Sequence, residues 1–423
     1  MATSASMPVV GLLVDLSPLR RSPQFRLLTV GRLVSLAGSQ FTVVAAPVQV
    51  FSLTGSTLAV GLLGLAQLPP LLLASFLGGT LADAFDRRRV LLVTQTLLAS
   101  ASVGLALNAA APSPRVWLVY VLTAVIAALS GIDAPTRTAA VPGLVSASML
   151  PAALALSQLL FQLALVVGPA VGGLVVARSL TLAYLVDVAT FVVAIAAVAL
   201  MDPLPPEGGG TPPGWRSALE GWRHLRAEPA VLGAFVIDLD AMVFGMPRTL
   251  FPELAERVFA APGAVGLLFA APAAGALVGA ATSGWVGGIE HQGRGVIAAV
   301  AAWGAAITVF GVAPWLWLAL AALAAAGWAD AVSAVMRNTI IQLSVPDRLR
   351  GRLSALHIAN VSGGPRLGDV ESGVVAAVTD VRVSAWSGGL ACLAGVALVA
   401  HRFGALARWR LSDHGGAGPA GGA

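Results

Sequence analysis

A chain of 423 residues with 57% hydrophobic and only 11% charged residues departs far from soluble proteins, in which about a quarter of residues are charged. All 25 basic residues are arginine and one residue is cysteine, which excludes a Walker-type phosphate loop, a Schiff-base lysine, an internal disulfide and a cysteine zinc cluster. The five histidines lack metal-ligand spacing and no G-x-S-x-G motif occurs, so we do not expect an enzyme.

Twelve apolar segments follow one another along the chain, and each is long enough to cross a bilayer, for which about 20 apolar residues suffice. They are predicted at residues 25–51, 57–82, 90–111, 116–138, 150–177, 180–201, 230–250, 264–286, 295–313, 315–341, 353–378 and 383–403. We therefore predict an all-α membrane protein with twelve transmembrane helices in two pseudo-symmetric halves of six.

The predicted domains follow from the polar gaps between these segments. A cytoplasmic arm at 1–24 precedes a six-helix bundle at 25–201, a linker at 202–229, a second six-helix bundle at 230–403 and a tail at 404–423. The linker begins with DPLPPEGGGTPPG, which is typical of a flexible connection. Its second part places Trp215, Leu219, Trp222 and Leu225 on one helical face, which predicts an amphipathic helix on the inner membrane surface.

The distribution of arginine predicts how the chain is oriented, because cytoplasmic loops carry an excess of basic residues. With the N-terminus inside, nineteen arginines fall in inside segments and five in outside segments. We therefore expect both termini in the cytoplasm and the bundle in the inner (plasma) membrane.

A short repeat relates the two halves. The letters AVGLL occur at Ala59–Leu63 and again at Ala264–Leu268, an offset of 205 that agrees with the division into six and six. Internal repeats of this kind build secondary transporters, in which the substrate site lies between the halves near the middle of the membrane.

The connection between the second and third segments, GGTLADAFDRRRVLL, concentrates charge in a chain that has little. It is similar to the cytoplasmic signature loop of the major facilitator superfamily, in which Gly-x-Leu-Ala-Asp precedes a basic cluster. The matching positions are Gly79, Leu81, Asp83, Arg87 and Arg88. Asp86 replaces a usual glycine, and in this the chain resembles the branch that contains the enterobactin exporter and related drug-efflux proteins. Stretches such as FRLLTVGRLVSLAGSQFT and GGPRLGDVESG extend the resemblance over nearly the whole chain.

The resemblance implies that this loop belongs to a cytoplasmic gate. Asp83 is expected to face the N-terminal end of the eleventh segment, near Arg352, when the cytoplasmic side is closed. Arg87, Arg88 and Arg89 can pair with inside acids or with anionic lipid headgroups. Simple anchoring by arginine would not require Asp83 and Asp86, which favours the gate.

The fifth segment contains GPAVGG, in which Gly168, Pro169, Gly172 and Gly173 resemble the Gly-Pro motif of antiporters in the superfamily. Small residues let helices pack closely in lipid, and proline bends the helix. The motif favours export, although ordinary small-residue packing would produce the same pattern.

The resemblance also implies that the first, fourth, seventh and tenth segments line a central cavity. The candidate lining residues on these segments, apart from the acids discussed next, are Arg32, Ser35, Ser39, Gln40, Arg137, Asp330 and Arg337. Asp133 with Arg137, four apart, and Asp330 with Arg337, seven apart, each share a helix face, which favours structural ion pairs near the inner rim over a role in the cavity. On the eleventh segment, Arg366, Asp369 and Glu371 are expected to clamp a bent helix.

Acids within membrane segments are unfavourable and are often functional. Asp238 and Asp240 have no basic residue within four positions, so either is able to take up a proton. We predict Asp238 as the proton carrier, with Asp240 and Asp133 as alternatives.

These patterns together predict a proton-coupled exporter of a small amphipathic molecule, such as a drug, a siderophore or a secreted metabolite. The alternatives are an importer or a facilitative uniporter on the same fold, or a membrane sensor that does not transport. We expect no cofactor and no metal, with the proton gradient as energy source. The expected partners are the substrate, protons and membrane lipids, without nucleic acid, for a protein that acts as a monomer.

Overall fold

A computed structural model describes residues 15–205, 222–223, 225–345 and 347–413. The helices of the first half are α1 (Pro23–Thr54), α2 (Thr57–Ala84), α3 (Arg87–Ala110), α4 (Val116–Ala140), α5 (Leu150–Val176) and α6 (Leu180–Ala199). Those of the second half are α7 (Pro229–Phe244), α8 (Val265–Thr282), α9 (Gln292–Val312), α10 (Leu316–Ser344), α11 (Asp347–Val378) and α12 (Val381–Arg402). Short helices at Ser17–Arg21 and Gly404–Arg408 flank the bundle.

The predicted all-α architecture of two six-helix halves is confirmed. Among the described residues, eleven helical spans are long and apolar enough to cross a membrane. Helix α11 has 32 residues but a much more polar composition, and it packs against α2 and α7 inside the bundle.

Local sequence explains where several helices begin. The side chains of Ser22, Ser56, Asp86 and Ser179 each accept a hydrogen bond from a backbone N–H in the first turn of the helix that follows. Such caps satisfy donors that would otherwise lack partners in the first turn. At the other end of α1, Gly55 adopts a φ of 63°, which lets the chain reverse within two residues.

The seventh apolar segment departs from the sequence prediction of one helix at 230–250. Helix α7 ends at Phe244, and the chain continues as a 3₁₀ turn at Arg248–Leu250, a helical turn at Phe251–Glu253 and a π turn at Leu254–Val258. Proline cannot donate the hydrogen bond that a helix interior requires, so Pro247 and Pro252 account for this interruption.

The predicted amphipathic helix of the linker lies for the most part outside the described residues. Leu225, near its end, is buried in a cluster with Val231, Phe235, Val345 and Leu353. This part of the linker therefore packs on the second half, whereas the sequence pattern predicted that Leu225 faces the membrane.

Buried apolar clusters show how the two halves meet. We call the end of the bundle with the α2–α3 connection and the two short flanking helices the terminal end, and the opposite end, with the α1–α2 connection, the distal end. At the distal end one cluster joins both halves and includes Val50, Phe51, Phe251 and Leu254. Towards the terminal end the clusters separate, with Phe25 and Leu91 in one from the first half and Met336 and Leu406 in one from the second. Among the described residues, the two halves therefore share one apolar core at the distal end and have separate cores at the terminal end.

Candidate functional site

A cavity of ≈ 410 Å³ lies between the two halves. Its wall includes Arg32, Ser35, Ser39, Gln40 and Arg137 of the predicted lining set. Asp330 and Arg337, the other two predicted lining residues, are not part of this wall. The wall also takes in Asp133 on α4 and, from the second half, Arg248, Thr249, Phe269, Arg366 and Asp369.

On the first half, the charged part of the wall is centred on Asp133. Its carboxylate accepts from Arg137 Nε at 2.6 Å, from Gln95 Nε2 at 2.7 Å and from Thr94 Oγ1 at 3.1 Å. Arg32 approaches this cluster from α1 without forming an ion pair among the described residues. The pair Asp133–Arg137 thus forms as the spacing suggested, while it also faces the cavity.

On the second half, the predicted clamp on α11 has a different partner. Asp369 does not bind Arg366; its carboxylate accepts from Arg248 Nη2 at 3.2 Å and from the Thr249 hydroxyl at 3.2 Å. Arg366 donates instead to the carbonyl of Ser362 at 2.6 Å, one turn earlier on its own helix. Glu371 is half-buried, and neither an ion pair nor a hydrogen bond is found for its side chain in the described part of the chain.

Asp238 was predicted as the proton carrier because it has no basic neighbour along its own helix, but it is not without a cation. Asp238 does have a cation, because Arg337 of α10 lies 2.8 Å away, and Asn360 of α11 donates to the same carboxylate at 3.0 Å. Arg337 also donates to Ser333 and lies 3.6 Å from Asp330. The expected Asp330–Arg337 pair is therefore the longer of two contacts, and the cluster joins three helices of the second half. Sequence spacing cannot reveal a partner on another helix.

Asp240 points to the other side of α7, as its spacing from Asp238 requires. It packs against α12, where a β-carbon on Gly395 would lie 1.9 Å from its Oδ1. It has no basic partner among the residues that the structure describes. It is also absent from the cavity wall.

Asp187 on α6 is a buried acid that sequence reasoning did not select. Its side chain is 1% exposed, and it accepts from Thr42 Oγ1 at 2.6 Å and from Ser102 Oγ at 2.9 Å. No basic side chain pairs with it in the described ranges. Thr42 is itself part of the cavity wall, so Asp187 lies directly behind that wall. The available signal was a single acid in the otherwise uncharged stretch 180–201.

The GPAVGG motif lies at two close helix crossings. A β-carbon on Gly168 would lie 2.6 Å from Gln40 on α1, and one on Gly173 would lie 2.4 Å from the Cα of Gly266 on α8. Conversely, a β-carbon on Gly266 would lie 2.2 Å from the carbonyl oxygen of Pro169. Backbone contact between α5 and α8 therefore closes the distal end across the two halves, which only glycine permits.

A second crossing closes the distal end between α2 and α11. A β-carbon on Gly61 would lie 2.4 Å from the carbonyl oxygen of Asp369. Next to it, Thr57 donates a hydrogen bond to Glu253, and the Arg257 guanidinium lies 5.1 Å from the centre of the Phe51 ring. These polar and cation–π contacts join the first half to the second.

At the terminal end, the loop assigned to the gate makes its described contacts within the first half and with the residues that directly follow α6. Asp86 caps α3 by accepting from Arg89 N at 2.9 Å, and it also accepts from Leu204 N at 2.8 Å. Arg88 donates to the carbonyls of Val198 and Ala199 at the end of α6. Asp86 thus has a local capping role, which contradicts the argument that only a gate would require it.

The remaining members of the loop are open or weakly held. Arg87 Nε lies 3.4 Å from the Ala82 carbonyl, and Leu81 is half-buried. Gly79 has open space at its β position. Asp83 is exposed, and it forms no hydrogen bond or ion pair with a described side chain. Its proposed neighbour Arg352 has a side chain outside the described residues, so the expected contact with the start of α11 stays a prediction.

We expect Asp83→Asn to slow transport about two- to fivefold, because an acid at a helix N-terminus contributes roughly 0.3–1 kcal/mol and this contact would form only when the terminal end closes. The thermal stability should be unchanged, since Asp83 makes no contact that holds the described fold. Transport rates at equal expression measure the effect. Asp202→Asn, which alters an exposed acid bonded to Gln24 within the first half, is the matched control. Equal rates for the two variants would remove Asp83 from the gate.

Comparison with known proteins identifies the family to which the chain belongs. The family model described as "Transmembrane secretion effector" matches residues 14–413. The enterobactin exporter EntS of Escherichia coli O1:K1 is 32% identical over 394 residues, which are 92% of this chain and 94% of that protein. The enterobactin exporter EntS of Shigella boydii serotype 18 is also 32% identical, with the same coverage.

Solved structures share the fold at low identity. The nucleoside transporter NupG superposes with a TM-score of 0.71 at 13% identity, covering 91% of this chain and 99% of that one. A D-xylose–proton symporter superposes with a TM-score of 0.67 at 15% identity, covering 89% and 96%. From the family match and the shared fold it follows that the chain belongs to the transmembrane secretion effectors, a family of major facilitator superfamily transporters.

Proposed function

We propose that the protein exports a small amphipathic molecule in exchange for protons by alternating access. The observation that carries the proposal is a cavity with walls from both halves, closed distally by contacts between the halves, while the described terminal cores remain separate. Such an arrangement is one of the two states that rocking of two halves around a fixed site requires.

The direction of opening depends on the membrane orientation. The arginine distribution supports a cytoplasmic terminal end, because the loops there carry most of the basic residues. With that orientation the structure corresponds to the inward-facing state, in which a substrate enters from the cytoplasm. Closure of the terminal end and separation of α5 from α8 would then release it outside.

Two observations support export over uptake. Relatives with 32% identity over nearly the whole length are named enterobactin exporters. The GPAVGG stretch resembles the antiporter motif, and its glycines occupy the α1–α5 and α5–α8 crossings. An importer would use the same cavity, so the experiment must measure direction.

A carboxyl without an arginine partner can gain and lose a proton without breaking an ion pair, which suits it to proton coupling. Asp133 and Asp238 are both paired with arginine, at 2.6 and 2.8 Å. Among the described residues, Asp187 has only hydroxyl donors, and one of them, Thr42, belongs to the cavity wall. We therefore infer that Asp187 carries the proton, ahead of Asp240, which packs on α12 away from the wall.

Accumulation in everted membrane vesicles tests the proposal. A pH difference of one unit supplies about 1.4 kcal/mol per proton, enough for up to about tenfold accumulation in one-for-one exchange. With an acidic interior, vesicles that contain the protein should accumulate at least one compound of a panel of catecholate siderophores and amphipathic drugs. Collapse of the gradient by an ionophore should reduce the accumulation to equilibrium.

The same vesicles separate the alternatives. Equilibration of the compound across the membrane that does not depend on the pH difference would indicate a facilitative uniporter. Net uptake only into right-side-out vesicles would indicate an importer. Protein-free vesicles from the same membranes are the control. No difference from that control for any compound would overturn the transport proposal.

A further inference from the structure

The two halves contribute the same types of charged residue to the cavity wall. Each half contributes two arginines and one aspartate, and the wall as a whole has four arginines, two aspartates and hence a net formal charge of +2. The set from the first half is Arg32, Arg137 and Asp133, and the set from the second half is Arg248, Arg366 and Asp369. A cavity in a membrane that carries two unbalanced positive charges favours anions.

The ion pairs leave two of these arginines without a carboxylate. Asp133 binds Arg137 and Asp369 binds Arg248, so neither Arg32 nor Arg366 has an acidic partner among the described residues. The paired arginines also retain free donors. Arg137 is only 3% exposed, yet its Nη1 and Nη2 atoms have no hydrogen-bond acceptor in the described part of the protein. Arg366 Nε is also buried and has no hydrogen-bond acceptor among the described residues.

Arg32 and Arg366 line the cavity without a carboxylate partner among the described residues, so their guanidinium groups are suited to acidic groups. A guanidinium presents its N–H donors in a planar fork that matches the oxygens of a carboxylate, sulfonate or phosphate. The wall also has many apolar members, among them Phe161, Phe191 and Phe269. The wall therefore combines arginine donors from both halves with apolar and aromatic side chains.

We propose that the transported molecule is an organic anion, in which an apolar frame carries acidic groups that bind Arg32 and Arg137 on one half and Arg366 on the other. This inference rests on the proposed transport function and names the class of its substrate.

It also gives the substrate a role in the conformational cycle. Each half brings a net charge of +1 to the wall, so the halves repel when they approach, and an anion between them replaces repulsion with attraction.

Two fluorescent probes with the same aromatic frame test the charge requirement. The probes are 8-anilinonaphthalene-1-sulfonate, which is an anion, and N-phenyl-1-naphthylamine, which has the same rings without the sulfonate. Saturable binding is measured for the purified full-length protein in nanodiscs, with empty nanodiscs subtracted. The sulfonate should bind more tightly than the amine. Arg32→Gln and Arg366→Gln should each weaken sulfonate binding about tenfold or more, while amine binding stays within about twofold.

Controls separate charge from folding. Arg366→Lys keeps the positive charge but not the planar fork, and it should lose less sulfonate affinity than Arg366→Gln. Arg178→Gln removes an exposed arginine at the distal end, outside the cavity wall, and should change neither probe. A melting temperature is recorded for every variant, and Arg32→Gln keeps the test valid if Arg366→Gln does not fold.

Three results would overturn the proposal. They are absence of saturable sulfonate binding, a preference for the neutral amine, and equal losses of both probes in the arginine variants. Binding in nanodiscs requires neither a proton gradient nor a transport direction, so these outcomes are independent of the vesicle test. Failure of proton-driven export with anion-selective binding intact would reject the proposed coupling and leave the substrate class in place.

Discussion

Gly266→Ala should abolish most transport and leave the distal end open. The β-carbon of alanine would lie 2.2 Å from the Pro169 carbonyl oxygen, so α5 and α8 must separate to accommodate it. Overpacking of this kind costs typically about 1–3 kcal/mol, which changes the ratio of two states about 5- to 150-fold. The contact exists only while the distal end is closed. The substitution therefore acts against one state of the cycle rather than against the fold.

Labelling of a single cysteine in the cavity measures this shift. With Cys392 replaced by serine, a reporter at Gln67→Cys lies in the cavity wall on α2. An impermeant maleimide applied from the distal side should react slowly in the parent and much faster in Gly266→Ala. Gly143→Ala is the matched control, because a β-carbon at Gly143 meets nothing within 4 Å. Unchanged labelling and transport in Gly266→Ala would show that the α5–α8 crossing is not the distal gate.

Asp187→Asn should eliminate proton-driven accumulation while substrate exchange continues. Asparagine resembles the neutral acid in shape and can still accept from Thr42 and Ser102, so the packing of α1, α3 and α6 should persist. It cannot release a proton, and the accumulation ratio should therefore fall from up to about tenfold per pH unit to about one. Counterflow needs no net proton movement, and its rate should remain within about threefold of the parent.

Asp240→Asn is the matched control for this experiment, since Asp240 also lacks a basic partner among the described residues but packs on α12. It should retain most of the gradient-driven accumulation. Both quantities are measured with the same reconstituted vesicles, at several external pH values. If Asp187→Asn still accumulates substrate, the proton carrier is a different acid. If it loses counterflow as well, the three polar groups at this position are structural.

The sequence by itself was sufficient for the fold. Segment length and apolar composition are local properties, and a bilayer tolerates only segments that satisfy their own backbone, so the twelve helices and the division at the linker followed directly. The interruption after α7 was not predicted, although Pro247 and Pro252 are a local signal for it, because a proline removes a donor wherever it occurs. The family resemblance depended on motif residues, which are read directly from the sequence, and the family was confirmed.

The partners of the charged residues were decided by the tertiary structure. The pair Asp133–Arg137 was predictable because both members belong to one helix turn, whereas Asp238–Arg337 and Asp369–Arg248 join separate segments. Which side chains meet between helices depends on the rotation of each helix about its axis and on where the helices cross. Spacing along one helix contains neither quantity.

The same physical reason applies to Asp187 and to the glycines of the distal closure. The stretch 180–201 shows a lone acid, but only the packing of α6 against α1 and α3 surrounds it with hydroxyl groups, with no basic partner in the described part of the chain. The motif GPAVGG indicates close packing in general, and the position of α8 determines that Gly173 meets Gly266. The sequence therefore determined which residue types lie at membrane depth, and the tertiary structure determined what each of them contacts.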